Sequence, residues 1–165
     1  VTPSNPPNFY PVSWDELHRN ARALAWHLSE KGKWKNVLAV ARGGLVPAAL
    51  VARDLGIRAI ETVVVVGYQT DDENPSMIEE ARIEKLPANV GDGEGWLVID
   101  DLADTGRTLK ILREIMPKAH FATVYAKPTG KPLVDTFVTE VGQDTWIDFP
   151  WEISSRNPRS LESEA

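Results

Sequence analysis

The 165-residue sequence predicts an α/β domain with a mainly parallel sheet. Two observations carry that expectation. Short apolar, β-branched runs alternate with segments of helical period, and the runs are continuously apolar, as in strands buried on both faces. A third observation locates the ligand. At two strand ends the chain turns through glycine and small polar residues straight into a helix, at Arg42-Gly43-Gly44 and at Asp100 to Thr108. In parallel sheets ligands bind outside the carboxyl ends of strands.

Taken in order, Ser13-Trp14-Asp15-Glu16 has the form of a capping box, and Leu17, Ala21, Leu24 and Leu28 follow at helical spacing. A helix is therefore expected from about 14 to 30, ending near Gly32. "NVLAVA" (36–41) is a buried strand, and "LVPAALVARDLG" a helix with Pro47 in its first turn and Gly56 just past its end. "IETVVVVGY" (60–68) is the second strand. Residues 69–95 show no sustained period and contain Pro75, Pro87 and three glycines, which predicts a long functional loop. "WLVIDD" is the third strand, followed by a helix with Leu109, Leu112 and Ile115 on one face and Pro117 as its stop. "HFATVYA" (120–126) and "DTFVTEV" (135–141) complete five strands, and a polar tail runs from Ser154.

Composition narrows the function. A content of 42% hydrophobic and 25% charged residues is that of an ordinary globular domain. The longest apolar charge-free stretch, "GGLVPAALVA", is half of a membrane span. The opening "VTPSNPPNFYP" lacks the basic flank and apolar run of a secretory signal. Without cysteine there is no disulfide or thiolate metal site, which fits a cytoplasmic protein. The formal charge of −6 is confined to 71–95, where eight acidic residues face two basic ones, Arg82 and Lys85. No basic stripe exists for a phosphate backbone, so nucleic acid is not an expected partner.

The two turns carry the chemistry. In "DTGRT" (104–108), Gly106 and the hydroxyls of Thr105 and Thr108 open a helix, so backbone N–H groups and the helix dipole can converge on an anion. An ordinary capped turn has the same five residues. Asp100 and Asp101 immediately before it repel each other unless something positive lies there. They suit sugar hydroxyls and a Mg²⁺, which prefers oxygen ligands, although one could cap a helix and the other be solvated. Arg42-Gly43-Gly44 supplies a second anion-binding turn. Two anion sites flanking an acidic pair describe a sugar with phosphate at both ends.

An apolar strand, two acidic residues and then D-T-G-x-T resembles the fingerprint of the type I phosphoribosyltransferases. From about Val12 to Trp151 the chain is similar to their bacterial xanthine-guanine phosphoribosyltransferase family, through "RGGLVPAAL", "GDGEGWLVIDDLADTGRT", "PKAHFATVYAKPTGKPLVD" and "QDTWIDFPW". The family pattern often has Gly where Arg107 stands and Ser where Ala41 stands. The resemblance implies a flexible segment 1–11, a phosphoribosyltransferase domain 12–153 and a flexible polar tail 154–165. Within the domain it implies a flexible lid loop at 69–95 and a small base-binding hood at 127–153.

It also implies purine salvage: Mg²⁺-dependent transfer of phosphoribosyl from 5-phosphoribosyl-1-pyrophosphate (PRPP) to N9 of guanine, xanthine and, less well, hypoxanthine. The products would be GMP, XMP or IMP and pyrophosphate. The 5′-phosphate loop falls on Asp104, Thr105, Gly106, Arg107 and Thr108, and the pyrophosphate loop on Ala41 to Gly44, with Arg42 and Gly43 as contacts. Asp100 and Asp101 form the acidic pair, Asp101 being the metal ligand, and Arg82 takes the place of the lid arginine. Asp104 takes the general acid/base position, Lys127 donates to the purine O6, Trp146 stacks on the ring, and Ile147 meets the 2-substituent through backbone atoms. Read alone, Lys127 is better taken as a surface lysine and Trp146 as a packing residue, and the resemblance reverses that reading. The family forms tetramers or dimers in the cytoplasm, with some members on the inner face of the membrane, and no amphipathic basic helix here marks such attachment. A non-catalytic PRPP- or nucleotide-binding regulator on the same fold is the alternative, and the intact Asp104 and Lys127 speak against it. A receiver-like signalling domain would leave Arg42-Gly43-Gly44 unexplained.

Overall fold

In a computed structural model of the chain, residues 8–69 and 78–153 are described, without the side chains of 68, 69, 78–80 and 153. Six strands form the main sheet in the order β4-β3-β2-β5-β6-β7. They are β2 (Asn36–Ala41), β3 (Ala59–Gln69), β4 (Ile78–Lys85), β5 (Trp96–Ala103), β6 (His120–Ala126) and β7 (Thr136–Glu140). Every pairing is parallel except β3 with β4. Helices α1 (Trp14–Lys31), α2 (Leu45–Leu55) and α3 (Arg107–Ile115) cover the sheet.

Successive residues of a strand point to opposite faces, and in β2, β5 and β6 both faces are buried. In β3, also expected to be covered on both faces, Val63 is buried and Ile60 is 46% exposed. Val37 and Ala39 of β2, with Leu97 and Ile99 of β5, pack under α1 and α2. Leu38, Val40 and Val98 turn the other way, toward Leu109 and Leu112 of α3. This explains why the strand runs are continuously apolar. The helices obey their terminal signals. Ser13 caps α1 by accepting from the Glu16 N–H at 3.1 Å, while the Glu16 carboxylate accepts from the Tyr10 hydroxyl at 2.6 Å. Gly56, at φ 71°, ends α2 in the left-handed conformation.

Three expectations change. The stretch 69–95 is not one loop: β4 adds an antiparallel edge strand to β3. Its sequence "IEEARIEK" carries five charged side chains, so no apolar period betrays it, and charge suits an edge strand exposed to water. The segment expected to be flexible before residue 12 contains β1 (Asn8–Pro11), which pairs in parallel with β8 (Thr145–Asp148) as a separate two-stranded sheet. Four-residue strands bounded by proline are too short for a periodic signal. Beyond β8 a single turn of helix, α4 (Pro150–Ile153), was also not foreseen. Residues 1–7, 70–77 and 154–165, which hold parts of the expected N-terminal segment, lid and tail, lie outside the described residues.

Candidate active site

The chain leaves β2 toward β3 on one side and β5 toward β6 on the other, so the sheet reverses its winding between β2 and β5. These two strands are directly paired, Ala39 against Ile99. Their following turns are the Arg42-Gly43-Gly44 turn and the 100–108 turn, so the two anion-binding candidates meet at a topological switch point, where open α/β sheets bind ligands.

The approach is close. A Cβ on Gly43 would lie 2.6 Å from the Cγ of Asp101, and one on Gly44 would lie 2.8 Å from the Val40 carbonyl oxygen. Only glycine permits this contact between turn and carboxylate. The Ala41–Arg42 peptide is cis, and the Arg42 side chain is exposed. Arg42, Gly43, Asp100, Asp101 and Thr108 line a cleft of about 670 Å³, closed on one side by Trp151 and Glu152 of α4. A smaller hollow of about 100 Å³ adjoins it, lined by Asp100 and by Asp104 to Thr108. Asp100 and Thr108 border both.

Glycine begins both helices at the site. Gly44 precedes α2 and Gly106, at φ 83°, precedes α3, and neither helix has a side-chain cap. At α3 this leaves the first-turn N–H groups for a ligand, in contrast to α1, whereas in α2 the Leu45 N–H donates to the Arg42 carbonyl at 3.0 Å and Pro47 has none. The hollow at the start of α3 has the polarity and size that suit a phosphate group.

The acidic pair is held at electrostatic cost. Burial raises the Asp100 carboxyl well above the usual carboxylate range, and the neighbouring Asp101 charge adds to the shift. Burial pushes Asp101 up to about 6, opposed by hydrogen bonds from Asp100 and the Leu102 backbone, with the Glu152 charge raising it further. Asp100 also accepts from the Asp101 N–H at 2.8 Å. Among the described residues no group of three or more His, Cys, Asp or Glu side chains is arranged around one point for a metal. Two adjacent carboxylates on the cleft wall offer the oxygen ligands that suit a Mg²⁺ keeping most of its own waters.

Lys127 and Asp104 meet because their strands are in register. Ala103 of β5 pairs with Ala126 of β6, and the next residue on each strand is Asp104 and Lys127. The Lys127 N–H donates to the Ala103 carbonyl at 2.9 Å, and its Nζ lies 3.1 Å from Asp104 Oδ2. The lysine side chain is only 7% exposed while the aspartate is half exposed, so the ammonium is buried against a carboxylate at the site's mouth. This is not a surface lysine. The chain after Lys127 packs on the same turn: a Cβ on Gly130 would lie 2.6 Å from the Ala103 carbonyl carbon. Arg113 of α3 holds that connection, donating to the Leu133 carbonyl at 2.8 Å and pairing with Asp135 at 2.8 Å.

The remaining candidates lie farther out. On β8 the side chains alternate, Ile147 buried and Trp146 half exposed. Arg82 lies on β4, at the far side of β3 from β2, where its Nε donates to Glu84 at 2.7 Å, and it lines neither cleft. Residues not foreseen are Trp151 and Glu152 on the cleft wall and Gln143, whose Nε2 donates to Asp104 Oδ1 at 3.0 Å. A glutamine in a polar loop gives no sequence signal of such a contact.

Comparison with known proteins agrees with this geometry. Residues 13–156 match the phosphoribosyl transferase domain family. The chain is 57% identical to a xanthine-guanine phosphoribosyltransferase of Nitratidesulfovibrio vulgaris over 143 residues, 87% of this chain and 84% of the relative. It is 54% identical to another protein of that name from Desulfotalea psychrophila over 147 residues, 89% of this chain and 88% of the relative. Among solved structures, a purine phosphoribosyltransferase from Pyrococcus horikoshii superposes with a TM-score of 0.74 at 29% identity, covering 87% of this chain and 94% of that one. A Helicobacter pylori xanthine-guanine-hypoxanthine phosphoribosyltransferase, at 23% identity and TM-score 0.73 over 93% of this chain and 99% of that one, shares the fold.

Proposed function

The chain belongs to the phosphoribosyltransferase family, and from that premise we propose that it is a purine-salvage enzyme that transfers phosphoribosyl from PRPP to N9 of a 6-oxopurine. Guanine and xanthine are the accepted bases and hypoxanthine a poorer one, giving GMP, XMP or IMP with release of pyrophosphate. The observation that carries the reading is the buried Lys127 ammonium paired with Asp104 at the entrance to the α3 turn, beside the Arg42–Gly43–Asp101 cleft.

Each group then has a task. The N–H groups at the start of α3, with Thr105, Gly106, Arg107 and Thr108, hold the 5′-phosphate. Asp100 and Asp101 would hold the ribose hydroxyls and the metal, and Arg42 with the Gly43 backbone would receive the pyrophosphate. As the bond from the sugar C1 to the pyrophosphate oxygen breaks, negative charge grows on that leaving oxygen, and fixed donors at that turn lower the barrier. The sugar carbon left behind is cationic in character, as in glycoside cleavage. Asp104 accepts the proton that the purine ring gives up. Lys127 donates to O6, Trp146 stacks on the ring and Ile147 meets the 2-substituent. Asp101, beside Asp100, would hold a Mg²⁺, which would supply charge neutralisation for the pyrophosphate.

Protein mixed with PRPP, Mg²⁺ and guanine should release pyrophosphate and GMP in equal amounts. Tight PRPP binding with no pyrophosphate release would instead make the chain a PRPP-binding regulator on this fold. Among the described residues no helix is long and apolar enough to cross a membrane. A cytoplasmic, homo-oligomeric enzyme, tetramer or dimer, completes the proposal, and light scattering after gel filtration reads the assembly.

A further inference from the structure

One side-chain amide joins three segments of the site. Gln143 lies in the connection between β7 and β8, three residues before Trp146. Its Nε2 donates to Asp104 Oδ1 at 3.0 Å, and its Oε1 accepts from the Thr129 N–H at 2.9 Å. Thr129 belongs to the connection that begins at Lys127, whose Nζ takes the other Asp104 oxygen. The partners determine which way round the amide sits. Reversed, its NH₂ would face an N–H and its oxygen a carboxylate, and both contacts would be repulsive.

We propose that Gln143 is a positioning residue for Asp104, fixing the plane of the carboxylate that receives the purine proton. The inference rests on the phosphoribosyltransferase reading above. Asp104 is half exposed, so packing alone does not select its rotamer. Two donors from two different segments do. A carboxylate has roughly four lone-pair positions. Gln143 occupies one on Oδ1 and Lys127 one on Oδ2, which leaves one on each oxygen for an incoming ring N–H. The same amide ties the loop leading to Trp146 to the turn carrying Asp104, so the residues that would hold the base and the group that would deprotonate it share one anchor. Gln143 acts through Asp104 and reaches no reacting atom in this arrangement.

Gln143→Leu removes both hydrogen bonds, and Gln143→Glu keeps the acceptor for Thr129 while replacing the donor to Asp104 with a second carboxylate. With PRPP, Mg²⁺ and guanine, kcat should fall roughly tenfold or more in both variants, the usual weight of a hydrogen bond to a charged group. The KM for PRPP should stay within about twofold, because binding of the phosphosugar does not use this contact. A loop-tethering role would leave Gln143→Glu at the wild-type rate, since the bond to Thr129 is retained. In an Asp104→Ala background Gln143→Leu should change the residual rate little, because the two residues act as one unit. Gln143 is exposed, so the variants should melt with the wild type. Wild-type kcat in Gln143→Glu, or equal loss from Gln143→Leu in both backgrounds, overturns the positioning role alone. Absence of pyrophosphate release by the unmodified protein overturns the transferase reading and the positioning role with it.

Discussion

Gly43 and Asp101 touch across the gap between β2 and β5, so closely that a Cβ at position 43 would lie 2.6 Å from the aspartate Cγ and 2.8 Å from its Oδ1. The partner that can yield is the carboxylate, at the end of a side chain on the cleft wall. Gly43→Ala should therefore move the Asp101 carboxylate or the Arg42-Gly43-Gly44 turn while leaving the sheet intact. Misplacement of about 1 Å at a reacting centre costs on the order of 10²-fold, and kcat/KM for PRPP should drop by that amount. Gly32→Ala is the control, because its Cβ would meet only the Trp34 ring at 3.5 Å. Steady-state kinetics beside thermal melting separates the two effects, and a Gly43→Ala enzyme with wild-type kcat/KM would contradict the argument.

The acidic pair should leave a pH signature on stability. Burial raises Asp100 well above its ordinary value and Asp101 to about 6, whereas in the unfolded chain both titrate near ~3.9. The folded protein thus binds protons more tightly than the unfolded chain. The sign is that of a raised carboxyl: the contribution is fully present below the unfolded value and is lost as pH rises through the folded one. In metal-free buffer the pair's contribution should decline from about pH 4 to above pH 6. Asp101→Asn should flatten that slope. Urea denaturation at a series of pH values measures it, and an identical profile in wild type and variant would show that the pair ionises without strain.

Much of the site was legible because the chemistry is local in sequence. Asp100, Asp101 and Asp104 to Thr108 are one continuous turn, and Arg42 to Gly44 another. What joined them was the continuously apolar strands, which implied parallel pairing and so brought two carboxyl ends together. The missed features are those whose order comes from distant contacts. β4 carries five charged residues in eight and takes its place by pairing with β3, with Ile83 against the core, and β1 takes its place by pairing with β8. Gln143 opens the "QDTWIDFPW" run, but nothing in that run tells of its contact with Asp104, 39 residues away. Arg82, expected over the ligand, stands in β4 beside Glu84, because an arginine's reach is decided by its strand and not by its neighbours in sequence.

Asp104 carries the sharpest catalytic expectation. Both of its oxygens accept from protein donors, Gln143 and Lys127, yet half of the side chain stays open to an incoming base. Asp104→Asn keeps the shape and an acceptor but loses the basic carboxylate. Turnover should fall by roughly 10²–10⁴-fold, the usual share of general acid–base catalysis, while calorimetric PRPP affinity is retained. Near wild-type turnover would remove Asp104 from the mechanism.

The choice of base should follow from Lys127. Its ammonium has three donors and no acceptor. One donor is spent on Asp104 at 3.1 Å, and with the side chain 7% exposed the others have little water to turn to. A 6-oxo group accepts one of them. The 6-amino group of adenine presents hydrogens instead and leaves the charged donor unpaired, at a cost of about 1.5–3 kcal/mol or more. At ~1.4 kcal/mol per decade that is at least about tenfold discrimination. Adenine should be a very poor substrate, while guanine, xanthine and hypoxanthine share the accepted oxygen. Lys127→Met preserves the apolar stem and removes the donor, so it should weaken use of all three and leave PRPP affinity largely intact. The measurement is kcat/KM for the four bases with wild type and variant. Efficient adenine turnover by the wild type, or an unchanged guanine value in Lys127→Met, would show that the buried ammonium serves Asp104 and does not read the base.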